Sequence, residues 1–429
     1  MTMGQNYRKE VWIMDKKAFE TRINEEWEKY KANDIYPNIM LLGASGTGKS
    51  SLINHVFGDA VASVNDVKPE TDGFHLYLGS NYGITVNLID SAGYELGAEQ
   101  YAEEACRIVN EGINGEPVHI VWYCIPAANK RIEDIDIEVL TRLLKEDKLK
   151  GRLCVVFTKT DMDSTDLKVT RAMKHILENK LAEEDLSVES FRVSVEDEYE
   201  FELEDLLEWS SITLDDDDLR DKFIGAQISS LDIKKKSAEK AVAIASAAAA
   251  VIGAVPIPFA DAILLVPDQV LMVKRIIDIY GVSSLAHVSA QFVGSIVISQ
   301  LAKLLASSLV KIIPFVGSWV GGVVNASVAG IITCAIGKVT SDICYSSIKE
   351  QLNGTEIDWA NLFSVKDFSE KVSETAKEMF DSGSFRNDTS EVTFSDYMSV
   401  DSDNTDAPYI EPDGSGEDDN ENYDENEEG

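Results

Sequence analysis

Positive charge is scarce in this sequence. Against 75 Asp and Glu there are 39 Lys and Arg, a formal net charge of −36, and no Lys or Arg follows Arg386. Sixteen acidic residues fall between Asn387 and the last residue, and without them the balance is still −20, with 59 acidic against 39 basic residues. Sequence-independent nucleic-acid binding needs a basic surface that displaces counterions, so nucleic acid is a disfavoured partner. Cysteine is scarce too: Cys106, Cys124, Cys154, Cys334 and Cys344 form no CxxC pair, and Cys124 and Cys154 sit inside apolar runs. That usage argues against a disulfide framework and for reduced structural thiols in a cytoplasmic setting. The opening "MTMGQNYRKEVWIMDKKAFETRINEEWEKY" lacks the apolar core of a signal peptide. Residues 1–35 are expected to form an amphipathic helical segment, and export is not expected. No internal repeat is evident.

What the sequence does have is alternation. From Tyr36 to about Val195 short apolar runs ("NIMLLG", "FHLYLG", "ITVNLID", "VHIVWYCI", "RLCVVFT", "ESFRVSV") alternate with amphipathic stretches. This pattern predicts an α/β domain over 36–212, a mainly parallel six-stranded sheet covered by helices on both faces. An acidic and basic connector follows over 213–236, with "DDDD" at 215–218 read as a solvated corner or linker. Residues 237–348 are rich in Ala, Val, Ile and Gly and predict an all-helical apolar domain. A polar amphipathic segment over 349–385 precedes the acidic tail, 386–429, whose composition cannot offset its ordering entropy and predicts disorder.

The chemistry concentrates in "GASGTGKS", Gly43 to Ser50, which fits G-x-x-x-x-G-K-[ST] between a predicted strand and a predicted helix. Glycines there let successive backbone N–H groups turn toward phosphates, a lysine reaches the β and γ phosphates, and the serine hydroxyl ligates Mg²⁺. Ser45, Gly46, Thr47, Gly48, Lys49, Ser50 and Ser51 are accordingly assigned to the phosphates. Asp90-Ser91-Ala92-Gly93 ends the strand "ITVNLI", placing Asp90 for the Mg²⁺ shell and the Gly93 N–H for a γ-phosphate. Thr158-Lys159-Thr160-Asp161 ends the fifth strand run and chooses the base. A carboxylate at Asp161 accepts from guanine N1–H and its exocyclic amine, while adenine would leave it unpaired. The Lys159 stem can line the base plane and Thr158 can brace the loop.

Two further assignments rest on position. Thr71, 21 residues after Ser50 and just before a strand, is preferred over Ser63 and Thr85 to complete the Mg²⁺ shell. Ser194, in "FRVSV", is placed to present backbone N–H groups to guanine O6. The metal set is therefore Ser50, Thr71 and Asp90, and the catalytic contribution is assigned to Lys49, Thr71 and Gly93. Arg131 reads as a surface partner of Glu133, Asp134 or Asp136 rather than as an arginine finger.

With these motifs in order, residues 36 to about 210 resemble the G domain of Era-like, translation-factor-class GTPases. The resemblance implies GTP and GDP as substrate and product, Mg²⁺ as cofactor, and hydrolysis of GTP. Tyr94 stands where Ras-like relatives carry the glutamine that orients the attacking water, so slow turnover, or activation by a dimer or protein partner, is expected. The stretches "VPIPFADAILLVPDQVLMVKRIIDIYG" and "IIPFVGSWVGGVVNASVAGIITCAIGKV" resemble a helical domain, membrane-associated in some bacterial GTPases, that follows the G domain.

The apolar region itself supports two readings. Small residues recur every fourth position (Ala241, Ala245, Ala249, Gly253; Ser318, Gly322, Ala326, Gly330), a stripe that suits membrane hairpins and close-packed bundles alike. Residues 312–337 are uncharged and long enough to span a bilayer, and Lys234, Lys235, Lys236 and Lys240 read as cytoplasmic anchors. Pro256, Pro258, Asp261 and Asp268 oppose a span. The leading expectation is a GTP-dependent switch or mechanochemical GTPase, cytoplasmic and membrane-associated on that side, with lipids as partners. The alternatives are a soluble GTP-gated interaction module and a ribosome or RNA assembly GTPase.

Overall fold

The structure is a computed structural model. It describes residues 35–58, 74–81, 83–91, 98–113, 115–163, 166–196, 202–252, 266–282, 322–355 and 365–382, with positions 21, 25, 357 and 358. The expectations for the N-terminal segment, for Thr71, Gly93 and Tyr94, and for the acidic tail lie outside these residues.

Six strands form one sheet: β1 (Asn38–Leu42), β2 (Phe74–Tyr77), β3 (Asn87–Ser91), β4 (Ile120–Pro126), β5 (Leu153–Thr158) and β6 (Glu189–Arg192). Their order is β2-β3-β1-β4-β5-β6, parallel throughout except for the antiparallel edge pair β2–β3. Strands β1, β4 and β5 are apolar nearly without interruption because both of their faces are covered. Period-2 alternation divides them between two cores. Ile39, Leu41, Trp122 and Val156 face one way, toward α1 (Lys49–Phe57), α5 (Leu203–Thr213) and α6 (Asp217–Ala226). Met40, Leu42, Tyr123 and Val155 face the other, toward α2 (Ala98–Glu111), α3 (Asp134–Leu144) and α4 (Lys168–Ala182). The mainly parallel six-stranded sheet expected from the sequence is what forms.

The apolar region forms helices α7 (Leu231–Ile252), α8 (Val266–Tyr280) and α9 (Gly322–Leu352), followed by α10 (Val365–Ser382). The stripe Ala241, Ala245 and Ala249 is buried, and α7 packs along α9 and α8. Approach is close at Gly337 of α9, where a β-carbon would lie 2.5 Å from Val242 Cγ2 and 2.9 Å from Met272 Sδ. The small residues therefore admit neighbouring helices of the same chain. Among the described residues no helix is long and apolar enough to cross a membrane.

Two surface expectations are corrected. Lys234 is not an exposed anchor: it is buried, and its Nζ donates to the carbonyls of Ile224 (2.9 Å), Gly225 (2.7 Å) and Ile279 (3.4 Å). The ends of α6 and α8 leave carbonyls without helical partners, and an internal ammonium satisfies them. The run 215–218 is a solvated corner at Asp215 and Asp216, as expected, but it is not a linker, because Asp217 and Asp218 are half-buried in the helix that follows. Asp216 caps α6 through Leu219 N–H at 2.9 Å, and Asp217 and Asp218 pair with Arg275 (3.0 Å) and Lys274 (2.5 Å) of α8. Arg275 also holds buried Asp221 at 2.7 Å, so α6 joins the sheet domain to α8 by buried charge.

Candidate nucleotide-binding site

The site is built where β1, β3 and β5 end on one edge of the sheet. Beyond Leu42 the chain turns through Gly43 (φ +129°), Gly46 (+75°) and Gly48 (+97°), all positive, and enters α1 at Lys49. A β-carbon on Gly43 would lie 2.3 Å from the Cys124 carbonyl oxygen, so β4 and the turn exclude any larger residue there. Gly48 caps α1 with no side-chain hydrogen bond, which leaves the first-turn N–H groups directed at whatever the loop encloses. Ser45, Gly46, Ser50 and Ser51 are exposed at the loop mouth, whereas Thr47 is buried.

Lys49 is 6% exposed, and its Nζ donates to the carbonyls of Gly43 (2.9 Å) and Ala44 (3.0 Å). Burial lowers its pKa; the nearby Asp90 carboxylate works in the opposite sense. Asp90, at the C-terminal end of β3, has its pKa raised by burial against the pull of Lys49 and the Ser91 backbone N–H. Its Oδ1 and the Thr47 hydroxyl are buried with no hydrogen-bond partner. An unsatisfied Asp90 oxygen that feels the Lys49 ammonium, with an unsatisfied Thr47 hydroxyl in the loop, suits a hydrated hard cation and its phosphates.

The tetrad Thr158–Asp161 grips the glycine-turned loop directly. The Thr158 hydroxyl donates to the Thr47 carbonyl, and Lys159 Nζ donates to the Gly46 carbonyl at 2.7 Å. Lys159 takes a left-handed conformation (φ 55°) that turns the chain off β5 toward the loop. Ser194 donates from Oγ to Asp161 Oδ1 at 3.0 Å and accepts from the Glu196 N–H at 3.0 Å. The Ser194 side chain thus holds the Asp161 carboxylate, a contact the sequence did not reveal. Arg131 pairs with Glu133 at 2.5 Å on the surface, as expected.

The sequence also missed Tyr101 in α2. Its buried hydroxyl accepts from the Gly43 N–H at 3.0 Å and shares a 2.8 Å hydrogen bond with Ser91 Oγ. The available signal was faint: Tyr101 is the sole aromatic residue of α2, "AEQYAEEACRIVNE".

Residues 38–159 match the family model described as "50S ribosome-binding GTPase". Among curated proteins the chain is similar to "Translocase of chloroplast 34, chloroplastic" of Arabidopsis thaliana, 27% identical over 29% of this chain and 39% of that protein. It is also similar to "Cell division control protein 10" of Candida albicans, 24% identical over 25% of this chain and 38% of that one. The chain thus spans about two fifths of the length of these relatives. Among solved structures, "LeoA bacterial dynamin GTPase from ETEC" aligns over 92% of this chain and 79% of its own, at 14% identity and a TM-score of 0.34. The sheet order, the glycine-turned loop on β1 and the matched segment together make this part of the chain a P-loop GTPase G domain.

Proposed function

We propose that the chain binds GTP and GDP with Mg²⁺ and hydrolyses GTP, as a switch whose state passes from the G domain to helices α7–α9. One observation carries this reading: the guanine tetrad and the phosphate loop are tied together through Thr158–Thr47 and Lys159–Gly46, so base and phosphate recognition form one rigid cradle. In it Lys49 and the loop N–H groups bind phosphate oxygens, and Asp161, held by Ser194, accepts from guanine. Ser50 and Asp90 would hold the metal, joined on the sequence assignment by Thr71, while the Gly93 N–H is assigned to the γ-phosphate. Mg²⁺ held by these residues would supply neutralisation of phosphate charge. Tyr94 supports slow turnover without a dimer or protein activator, since a phenol does not replace a carboxamide in orienting water.

The route to the helices is supported by the C-terminal end of α1. There Val56 O accepts from the Ile228 N–H (2.8 Å) and His55 O from Ser229 Oγ (2.9 Å), immediately before α7 begins. One helix therefore faces phosphates at its start and the helical region at its end. The membrane coupling belongs to this proposal through the apolar sequence at 253–260 and 312–321. The burial of the small-residue stripe between α7 and α9 favours the second reading, a GTP-gated module that binds a protein partner.

Displacement of a fluorescent GTP analogue from the full-length protein tests the first claim. GTP and GDP should compete and ATP should not; equal competition by ATP would overturn the guanine assignment. Asp161→Asn should weaken GTP binding about a hundredfold, because the amide oxygen can accept one guanine donor while the new NH₂ faces the other. Xanthosine triphosphate, with a carbonyl in place of the amine, should recover affinity on that variant. Flotation on anionic phospholipid vesicles, with GDP and with a non-hydrolysable GTP analogue, separates membrane from soluble output.

A further inference from the structure

Strand β1 pairs with β3 as far as Leu41 and Asp90, and the phosphate loop then leaves the sheet. Beyond that point Tyr101 takes over. Its hydroxyl receives the Gly43 N–H at 3.0 Å and meets Ser91 Oγ at 2.8 Å, spanning the end of β1, from which the phosphate loop runs to Lys49, and the end of β3, which carries Asp90. Its ring stacks on Phe74, centroids 5.6 Å apart, three residues after Thr71 at the start of β2. Tyr101 is 1% exposed and sits in the first turns of α2, which follows the segment containing Gly93. One side chain thus touches the phosphate loop, the strand end of the metal-binding aspartate and the strand that follows the threonine assigned to the metal.

We propose that Tyr101 is a positioning residue of the nucleotide site, which sets Asp90 against the phosphate loop and thereby makes nucleotide affinity depend on Mg²⁺. This rests on the guanine-nucleotide reading above. The hydroxyl fixes a separation that the sheet no longer fixes, and a metal that Asp90 would help to hold beside the phosphate loop would be sensitive to that separation. The phosphate contacts themselves come from Lys49 and the loop N–H groups beyond Gly43, and the loop is also held by Lys49 through the Gly43 and Ala44 carbonyls, so metal-free binding depends far less on the hydroxyl.

The test is the affinity of the full chain for GDP in Mg²⁺ and in EDTA, for wild type, Tyr101→Phe and Ser91→Ala. Phenylalanine keeps the stacking on Phe74 and removes only the bridge. The expected result is a loss of about tenfold in affinity with Mg²⁺ and little change in EDTA, so that the Mg²⁺-dependent gain shrinks. A purely structural tyrosine would lower both affinities together or neither, and either outcome overturns the proposal. If Tyr101→Phe does not fold, Ser91→Ala breaks the same bridge from its other end and is read in the same way. Wild type that binds no guanine nucleotide overturns the nucleotide reading, and this proposal with it; wild type that binds with a Mg²⁺-dependent gain preserved in both variants overturns this proposal alone.

Discussion

Buried charge is arranged one residue at a time in this protein, and Lys234 shows the consequence. Its ammonium is enclosed by backbone carbonyls from α6 and α8, and burial pushes its pKa down to about 7 from 10.5. Between those two values the unfolded chain holds a proton that the folded chain has released, so stability rises with pH in that window. Denaturant unfolding of wild type should therefore gain about 2 kcal/mol between pH 7 and pH 9 relative to Lys234→Met. A flat difference across that range would show that the lysine stays charged in the fold. Sequence could not reveal this environment. In "KKKSAEK" three consecutive lysines look equivalent, and only the fold separates Lys234, under two helix ends, from its neighbours. The phosphate-loop lysine was legible for the opposite reason, since its partners are supplied by residues within six positions of it.

Elements meet here through small residues. Gly337 admits Val242 and Met272 so closely that Gly337→Val forces α7, α8 and α9 apart. Overpacking of this kind costs about 1–3 kcal/mol, and the midpoint of chemical denaturation should fall with little change in slope. Nucleotide affinity in the folded protein should stay within about twofold of wild type, because Gly337 lies in the helical region and the cradle is built on β1, β3 and β5. A large change in affinity would place Gly337 on the path between the two regions. The spacing of small residues was plain in the sequence, but its meaning was not. A stripe that lets backbones approach looks the same whether the surrounding medium is lipid or other helices. The sheet was easier to read, because continuous apolar runs such as "IVWYCI" suit strands covered on both faces and the intervening helices force parallel pairing.

Across the whole molecule, the joint between α1 and residues 228–229 links the site to the helical region, and buried pairs such as Asp221–Arg275 tie α6 to α8. A ligand that binds the folded chain should therefore protect more than the G domain. Saturation with GDP and Mg²⁺ at a hundred times the dissociation constant should add about 2.7 kcal/mol and raise the unfolding temperature by a few degrees. Tryptophan fluorescence, to which buried Trp122 contributes, and far-UV circular dichroism, weighted toward the helices, should show the same shift. Two separate transitions, with only one moved by GDP, would uncouple the helices from the site. By itself the sequence determined the glycine-turned loop after β1 and the order of strands and helices, and it singled out the tetrad Thr158–Asp161, because each depends on residues close together in the chain or on a strict period. Tertiary structure alone decided that Ser194 holds Asp161, that Tyr101 bridges Gly43 and Ser91, that Lys234 is internal and that the described small-residue stripe faces protein. Each of these joins segments well apart in the sequence, and no local pattern records which surfaces the fold will press together.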